Sequence, residues 1–313
     1  RAASVHQLLD LCVRPLADWA PAALAAMELY AGAILIDPAY HVPSEDCEAI
    51  AESAGGVSLD DLIERQLHDQ LRVTIATLGE DADQAYTLIR EFVGRHPLAD
   101  QSDFQRLASN PEAPNEAIAF VRRLYARVHA SEAKDGAVRR CANCNGLISR
   151  ARNSCVLAGC VEDHPTRDAA PVPLSAAFLA QPAALKYWAD PAREELRLYD
   201  KLRRIPHLRG RVQLYPRSDS CDVGLGEEIG IDVKDYRDPV RLAQRLNRSI
   251  GRLDEYRVCV LAIAKRRWSP TYRDQLLEHF TPERRRRLLV MSVDGTIAWV
   301  KKTERYQGDD RHA

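Results

Sequence analysis

The 313-residue sequence has no uncharged apolar run approaching the roughly 18 residues that cross a bilayer, so a membrane span is not expected. It has no signal-peptide core either, because His6, Gln7 and Asp10 interrupt the apolar residues between Arg1 and Leu11. A cytoplasmic location is the expectation. The first residue is Arg1 rather than Met, and native N-terminal residues are expected to be missing. No internal repeat is visible, and with 46% hydrophobic residues nothing points to wholesale disorder. What remains is a globular chain long enough for two or three modest domains.

A large net charge is also missing, but the near-neutrality hides an asymmetry. Residues 1–130 carry 10 Lys and Arg against 20 Asp and Glu, a net of −10; the remainder carries 34 against 25, a net of +9. The second part is suited to meet a polyanion and the first is not. The simpler alternative is that the two parts offset each other for solubility.

Residues 1–130 read as helical. Leu62, Ile63, Leu67, Leu71, Ile75 and Leu78 recur at helical spacing, with Ser58, Asp60 and Asp61 supplying N-terminal helix chemistry. Ile118, Val121, Leu124, Tyr125 and Val128 form a second pattern, with Asn115 as its cap. A partner-binding helical bundle is the preferred reading; the acidic charge argues against a helix-turn-helix DNA reader. Residues 168–173 look like a linker. A helix is expected from about Pro191 to Arg204, then strands at Val212–Tyr215, Cys221–Leu225 and Ile229–Val233. Asp238-Pro239 opens another helix, Tyr256–Ala264 reads as a buried strand, and 271–287 as helix. Leu288–Val293 and Ile297–Val300 suggest a closing hairpin around Asp294-Gly295. Lys265, Arg266, Arg267 and Trp268 follow the buried strand; they suit either phosphate and base contact or an ordinary charged strand end.

A disulfide framework belongs to small secreted domains, and this chain is neither small nor visibly secreted. Of its 8 cysteines, Cys141, Cys144, Cys155 and Cys160 cluster within twenty residues. Two thiolates on a tight turn grip one side of a tetrahedral ion, and a second pair closes the other. Gly146 is expected to supply a positive φ in the turn. The spacing points to a structural zinc ribbon, with His164 as an alternative fourth ligand to Cys160 and four reduced cysteines, or a Cys141/Cys144 redox pair, as the plainer readings. Arg139, Arg140, Arg150 and Arg152 flank it, so it either touches nucleic acid or holds two domains together.

Metal-assisted phosphodiester hydrolysis needs oxygen ligands, a group that steers water and a cation near the developing charge. Gly230-Ile231-Asp232-Val233-Lys234 offers Asp232 and Lys234 on one strand face, with Ile231 and Val233 on the other. The turn 226–228 would fold the preceding strand back and set Asp222 beside Asp232, so that both could bind one Mg²⁺; Asp219 competes with Asp222 for that place. Glu194 or Glu195 could add a carboxylate from the upstream helix. Arg241, Gln244, Arg245 and Arg248 could face phosphate from the downstream one. The tripeptide alone is weak, since Asp and Lys two apart are often a solvated ion pair.

The order of these elements over about residues 185–300 resembles the PD-(D/E)xK, restriction-endonuclease-like nuclease core. The resemblance implies that Asp222 and Asp232 bind a catalytic Mg²⁺ (or Mn²⁺), that Lys234 orients the nucleophile or stabilises charge, and that Glu194 or Glu195 assists. Ser220-Cys221 stands where the family has its Pro. Together with the Cys-x-x-Cys ribbon, Leu214-Tyr215-Pro216 and Ile231 to Tyr236, the layout resembles, more narrowly, the restriction-endonuclease-like proteins encoded beside prokaryotic PIWI-RE proteins in anti-phage systems. That implies DNA as substrate, PIWI-like and helicase partners and, when both strands are cut, a homodimer or larger complex. The fold class expected is thus multidomain α and α/β: a helical domain over 1–130, a four-cysteine zinc ribbon over 131–170 and a nuclease domain with a restriction-endonuclease-like α/β core over 175–313. The rivals are a catalytically inactive subunit that docks nucleic acid or a partner, and a zinc-ribbon transcription regulator.

Overall fold

The computed structural model describes residue 2, residues 4–53 and residues 59–309. Helices α1 (Val5–Cys12), α2 (Glu45–Ser53), α3 (Leu59–Ile75), α4 (Ala82–Arg95), α5 (Gln101–Ala108) and α6 (Asn115–Arg123) follow in order, with shorter turns between them. In α3 the expected stripe is the buried one: Leu67, Leu71 and Ile75 lie in the core and Ile63 packs against it. Ser58, expected to start this helix, lies outside the described residues. Asn115 is the first residue of α6 rather than its cap, because Pro114 ahead of it holds an extended backbone (φ −60°, ψ 147°). The region is not wholly helical. β1 (Leu98–Asp100) and β2 (Tyr125–Arg127) pair antiparallel on either side of β7 (Ala177–Ala180), which arrives more than fifty residues later.

Between them lies a small sheet of β3 (Ala137–Arg140), β4 (Leu147–Ser149), β5 (Ser154–Cys155) and β6 (Val172–Pro173), in the order β5-β4-β3-β6, with α7 (Ala158–Asp163) beside it. The expected linker over 168–173 is therefore part of the sheet. Cys141 bridges Asp168, Val138 pairs with Val172, and Arg139 holds the Asp168 carboxylate through Nε (2.8 Å) and Nη2 (3.0 Å). Pro173 is tolerated because β6 is an edge strand, where a missing N–H costs no ladder bond.

The C-terminal part is a mixed five-stranded sheet, β12-β11-β10-β9-β8. Its strands are β8 (Val212–Leu214), β9 (Val223–Leu225), β10 (Ile229–Lys234), β11 (Val258–Ile263) and β12 (Leu288–Ser292). β8, β9 and β10 run antiparallel to their neighbours; β10, β11 and β12 are parallel. Alternation divides the side chains between two cores. Ile231, Val233, Val260 and Ala262 join the apolar faces of α8 (Asp190–Arg203) and the final helix. Cys259, Leu261 and Ile263 pack with α9 (Pro239–Arg248) and α10 (Pro270–His279). Asp238 caps α9 by accepting from the N–H groups of Val240 (2.8 Å) and Arg241 (3.3 Å). After α11 (Pro282–Arg287) and β12, the expected closing hairpin is instead a helix, α12 (Val293–Asp309). Val293, Ile297 and Val300 are buried at steps of four and three, a helical period that outweighs the turn signal of Asp294-Gly295.

The fold is thus mixed α/β with four cysteines gathered in one place. One hydrophobic cluster runs without a break from Tyr40 through the ribbon cysteines to Val300, so the three expected parts share a core. α4 and α8 cross tightly within it: a Cβ on Gly94 would stand 2.7 Å from Ala192 Cβ and 3.0 Å from Leu196 Cδ1. Gly94→Ala should therefore force the helices apart and lower stability by about 1–3 kcal/mol, read as a lower denaturant midpoint at unchanged slope. Gly32→Ala, with open space around its Cβ, should leave the midpoint where it is.

Candidate active site and thiol cluster

β9 and β10 form the expected antiparallel hairpin, turning at Gly226 (φ 60°). Leu225 lies opposite Ile229 and Val223 opposite Ile231, so the next step of the register brings Asp222 beside Asp232. Asp222 is buried, and its Oδ2 accepts the Val233 N–H at 2.6 Å. Lys234 Nζ stands 2.8 Å from Asp232 Oδ2. Burial works to lower the Lys234 pKa, but Asp232 and Asp222 outweigh it and hold the ammonium above its ordinary value. Lys234 is therefore a cation near neutral pH, able to orient a water or meet negative charge but not to take a proton.

α8 brings in Glu195, which is buried and accepts the Tyr215 hydroxyl at 2.5 Å. Glu194 instead lies on Arg197 at 3.0 Å, so of the two candidates only Glu195 faces the site. Burial pushes the Glu195 carboxyl up; Arg90 pulls it down, followed by the Tyr215 hydrogen bond. Asp219, the rival of Asp222, ends a left-handed turn in which Tyr215, Arg217, Ser218 and Asp219 all have φ between 48° and 74°. Such residues cost about 1–2 kcal/mol each and persist only when neighbours hold them. Three of the holding side chains come from α4: Tyr86 donates to Asp219 Oδ2 at 2.9 Å, Thr87 to the Leu214 carbonyl at 3.2 Å, and Asp83 accepts the Ser218 hydroxyl; Arg252 adds a bond to the Arg217 carbonyl at 2.7 Å.

Glu195, Asp219, Asp222 and Asp232 thus share one neighbourhood with Arg90 and Lys234. Burial, then Glu195 and Asp232, drive the Asp222 carboxyl well above the usual range, against Lys234. Asp222 and Asp232, side by side on the hairpin, are the hard oxygen donors that a divalent cation takes. Among the described residues, the four thiols bring their ligand atoms within 4.8 Å of one another, whereas no three carboxylates do.

Tyr86 and Arg90 did not emerge from the sequence. Yet Tyr86, Ile89, Arg90 and Val93 keep one helical stripe, all of it buried. An Arg on an otherwise apolar stripe was the available signal.

Cys141, Cys144, Cys155 and Cys160 are all buried, with Sγ separations of 3.7 Å for Cys141–Cys160 and 3.3 Å for Cys144–Cys155. Tetrahedral thiolates on a zinc-sized ion stand about 3.8 Å apart, so the set can hold a structural metal. The Gly146 and Leu157 N–H groups each donate to a sulfur at 3.4 Å. The left-handed residue of the turn is Asn145 (φ 60°), not Gly146. Gly146 is needed for space, since a Cβ there would lie 3.2 and 3.3 Å from two sulfurs. His164 is exposed and outside the cluster.

The basic side chains near the ribbon are mostly engaged within the chain. Arg139 holds Asp168, Arg140 pairs with Asp100 at 3.0 Å, and Arg150 donates to the Ala133 carbonyl. Arg266 and Arg267, one expected phosphate contact, converge instead on Asp235 and Glu162. Arg266 also approaches Asp163 and Asp190, and it fits only because Gly159 has no Cβ. Asp190 Oδ2 in turn accepts the Tyr40 hydroxyl (2.7 Å) and the Gly159 N–H (2.9 Å). This joint ties the ribbon to both flanking parts, which is the second of its two expected roles. On α9, Arg241 donates to the Glu45 carbonyl at 2.7 Å.

His68, edge-on to Trp188, has its pKa lowered to about 4, by burial first and then by Arg90. Below its ordinary value of 6.5 the unfolded chain takes up a proton that the folded chain refuses. The contribution is complete above pH 6.5 and is lost as pH falls towards 4. Relative to His68→Leu, the wild type should lose up to about 3 kcal/mol across that window, measured by denaturant unfolding at about pH 7, 5.5 and 4.

Comparison with known proteins follows this geometry. Residues 192–307 match the family model described as the REase associating with pPIWI_RE, a span containing Glu194, Glu195, Asp219, Asp222, Asp232 and Lys234. Residues 2–100 match the pPIWI_RE three-gene island domain Y, a span that includes α4. No curated protein and no solved structure gives a significant match. The chain is therefore similar to the REase associating with pPIWI_RE over residues 192–307, as its sequence resemblance implied, and to the pPIWI_RE three-gene island domain Y over residues 2–100, which the sequence reading did not name.

Proposed function

We propose that this protein is a metal-dependent endonuclease that hydrolyses DNA phosphodiesters in prokaryotic defence. The observation that carries the reading is the gathering of Glu195, Asp222, Asp232 and Lys234 at one end of the hairpin. The match of residues 192–307 to an REase-associated family supports it. Asp222 and Asp232 would hold Mg²⁺ (or Mn²⁺) through their carboxylate oxygens. When bound, the ion would supply Lewis-acid polarisation of the phosphate and a lower pKa for the attacking water. Lys234 orients that water and meets the charge that develops on the phosphate oxygens. Glu195, held by Arg90 and Tyr215, accepts a hydrogen bond from the water. Zn²⁺ on the four thiols is structural, since four thiolates leave no open position for substrate. The divisions at 1–130, 131–170 and 175–313, a cytoplasmic setting, pPIWI-like and helicase partners and a homodimer belong to the same reading.

One observation favours the rival, a subunit that docks DNA or a partner without cutting. Asp232 already has Lys234 and Asp222 already has the Val233 N–H, so both carboxylates have partners within the chain. The deciding assay incubates the purified protein with linear and single-stranded DNA in Mg²⁺ or Mn²⁺. Wild type should cleave, and Asp232→Ala and Lys234→Ala should each slow cleavage by about 100-fold or more. Silence of the wild type even with its pPIWI_RE and helicase partners present would favour docking. Separately, the chain should carry one zinc. Cys144→Ser should lose it together with several kcal/mol of stability, read by metal analysis and thermal midpoint.

A further inference from the structure

Arg90 is only 4% exposed, between the rings of Trp188 (5.2 Å) and Tyr215 (4.9 Å). Its Nε has no hydrogen-bond partner among the described residues, and its ion pair with Glu195 is loose at 3.7 Å. As a purely structural device this is poor. Taking two charges out of water costs several kcal/mol each, and an apolar side chain of similar volume would hold the helices as well or better. Tyr86, one turn earlier on α4, likewise ends on a carboxylate of the candidate site, at 2.9 Å from Asp219. Both residues belong to the stretch matching domain Y, while the carboxylates they touch belong to the stretch matching the REase.

We propose that Arg90 and Tyr86 are positioning residues of the hydrolytic site. Arg90 fixes the Glu195 carboxylate, and Tyr86 fixes Asp219 at the end of its left-handed turn, so that the two matched stretches build one site. Domain Y here is then part of the nuclease rather than an appended partner-binding module. The inference rests on the hydrolytic reading above and adds to it the residues that make the site competent.

The test uses the full, zinc-loaded chain, with Mn²⁺ binding followed by electron paramagnetic resonance and DNA cleavage measured in parallel. The variants are Tyr86→Phe, Arg90→Met, Arg90→Lys and Asp232→Ala. Methionine keeps much of the volume of Arg90 without its charge; lysine keeps the charge. Tyr86→Phe and Arg90→Met should weaken Mn²⁺ binding or slow cleavage by about 10- to 100-fold, the range seen when groups behind a metal site are removed. The loss should fall on kcat rather than KM. Arg90→Lys should recover most of it, whereas a packing role would make lysine no better than methionine. Wild-type Mn²⁺ affinity and kcat in both Tyr86→Phe and Arg90→Met would overturn the inference and leave the hydrolytic reading standing. If the wild type binds no Mn²⁺, or Asp232→Ala binds it equally well, the hydrolytic reading fails and the inference falls with it. If the wild type binds Mn²⁺ but needs its partners to cleave, the affinity series alone decides.

Discussion

Glu195 can lie in the interior only because Arg90 lies there too. An isolated buried carboxylate would take up a proton or pull the chain open, and an isolated buried guanidinium would be costlier still. The pair stands where α4 crosses α8, and that crossing depends on Gly94, which lets the helices approach against Ala192. Tyr215 joins by donating to Glu195, and the turn that begins at Tyr215 then runs through strained backbone to Asp219, where Tyr86 receives it. The first helices, the Glu-bearing helix and the hairpin strands are thus tied through one buried polar group. Loosening it would disturb the packing of α4 against α8 and, on the hydrolytic reading, the site with it.

A second polar junction does for the ribbon what the first does for α4. Arg266, Asp235, Asp190 and Arg193 form a largely half-buried set that reaches α7 of the ribbon, Tyr40 of the N-terminal part and the end of β10. Asp235 lies one residue beyond Lys234, so the ribbon is anchored to the strand that carries the candidate catalytic pair. Burial raises the Asp235 carboxyl to about 6 even between two guanidiniums.

Much of this was legible in the sequence where a period or a spacing carried it. The hairpin of Asp222 and Asp232 follows from two alternating runs joined by a glycine turn. The thiol cluster follows from its spacing, and α9 from Asp238-Pro239. The closing hairpin failed because Asp-Gly is a strong local turn signal, while the four-three spacing of Val293, Ile297 and Val300 is a longer-range one, and tertiary burial selected the latter. β1, β2 and β7 are three or four residues long, too short to show alternation, and they pair across more than fifty residues. Tyr86 and Arg90 are separated from Glu195 and Asp219 by over a hundred residues. No local pattern encodes such a meeting, and only the polar intrusion on an apolar stripe hinted at it.

The split of the carboxylate site between α4 and the hairpin also bears on when it can exist. Arg90 leaves the ribosome long before Lys234. At synthesis rates of about 5–20 residues per second, roughly 7 to 30 seconds pass between them. Within that interval first Glu195 and then Asp219 emerge to meet α4, and the hairpin comes last, to find α4 already made. The candidate site therefore cannot assemble until β10 has been made, so a chain cut short ahead of β9 would hold the first helices and the thiol cluster without Asp222, Asp232 or Lys234.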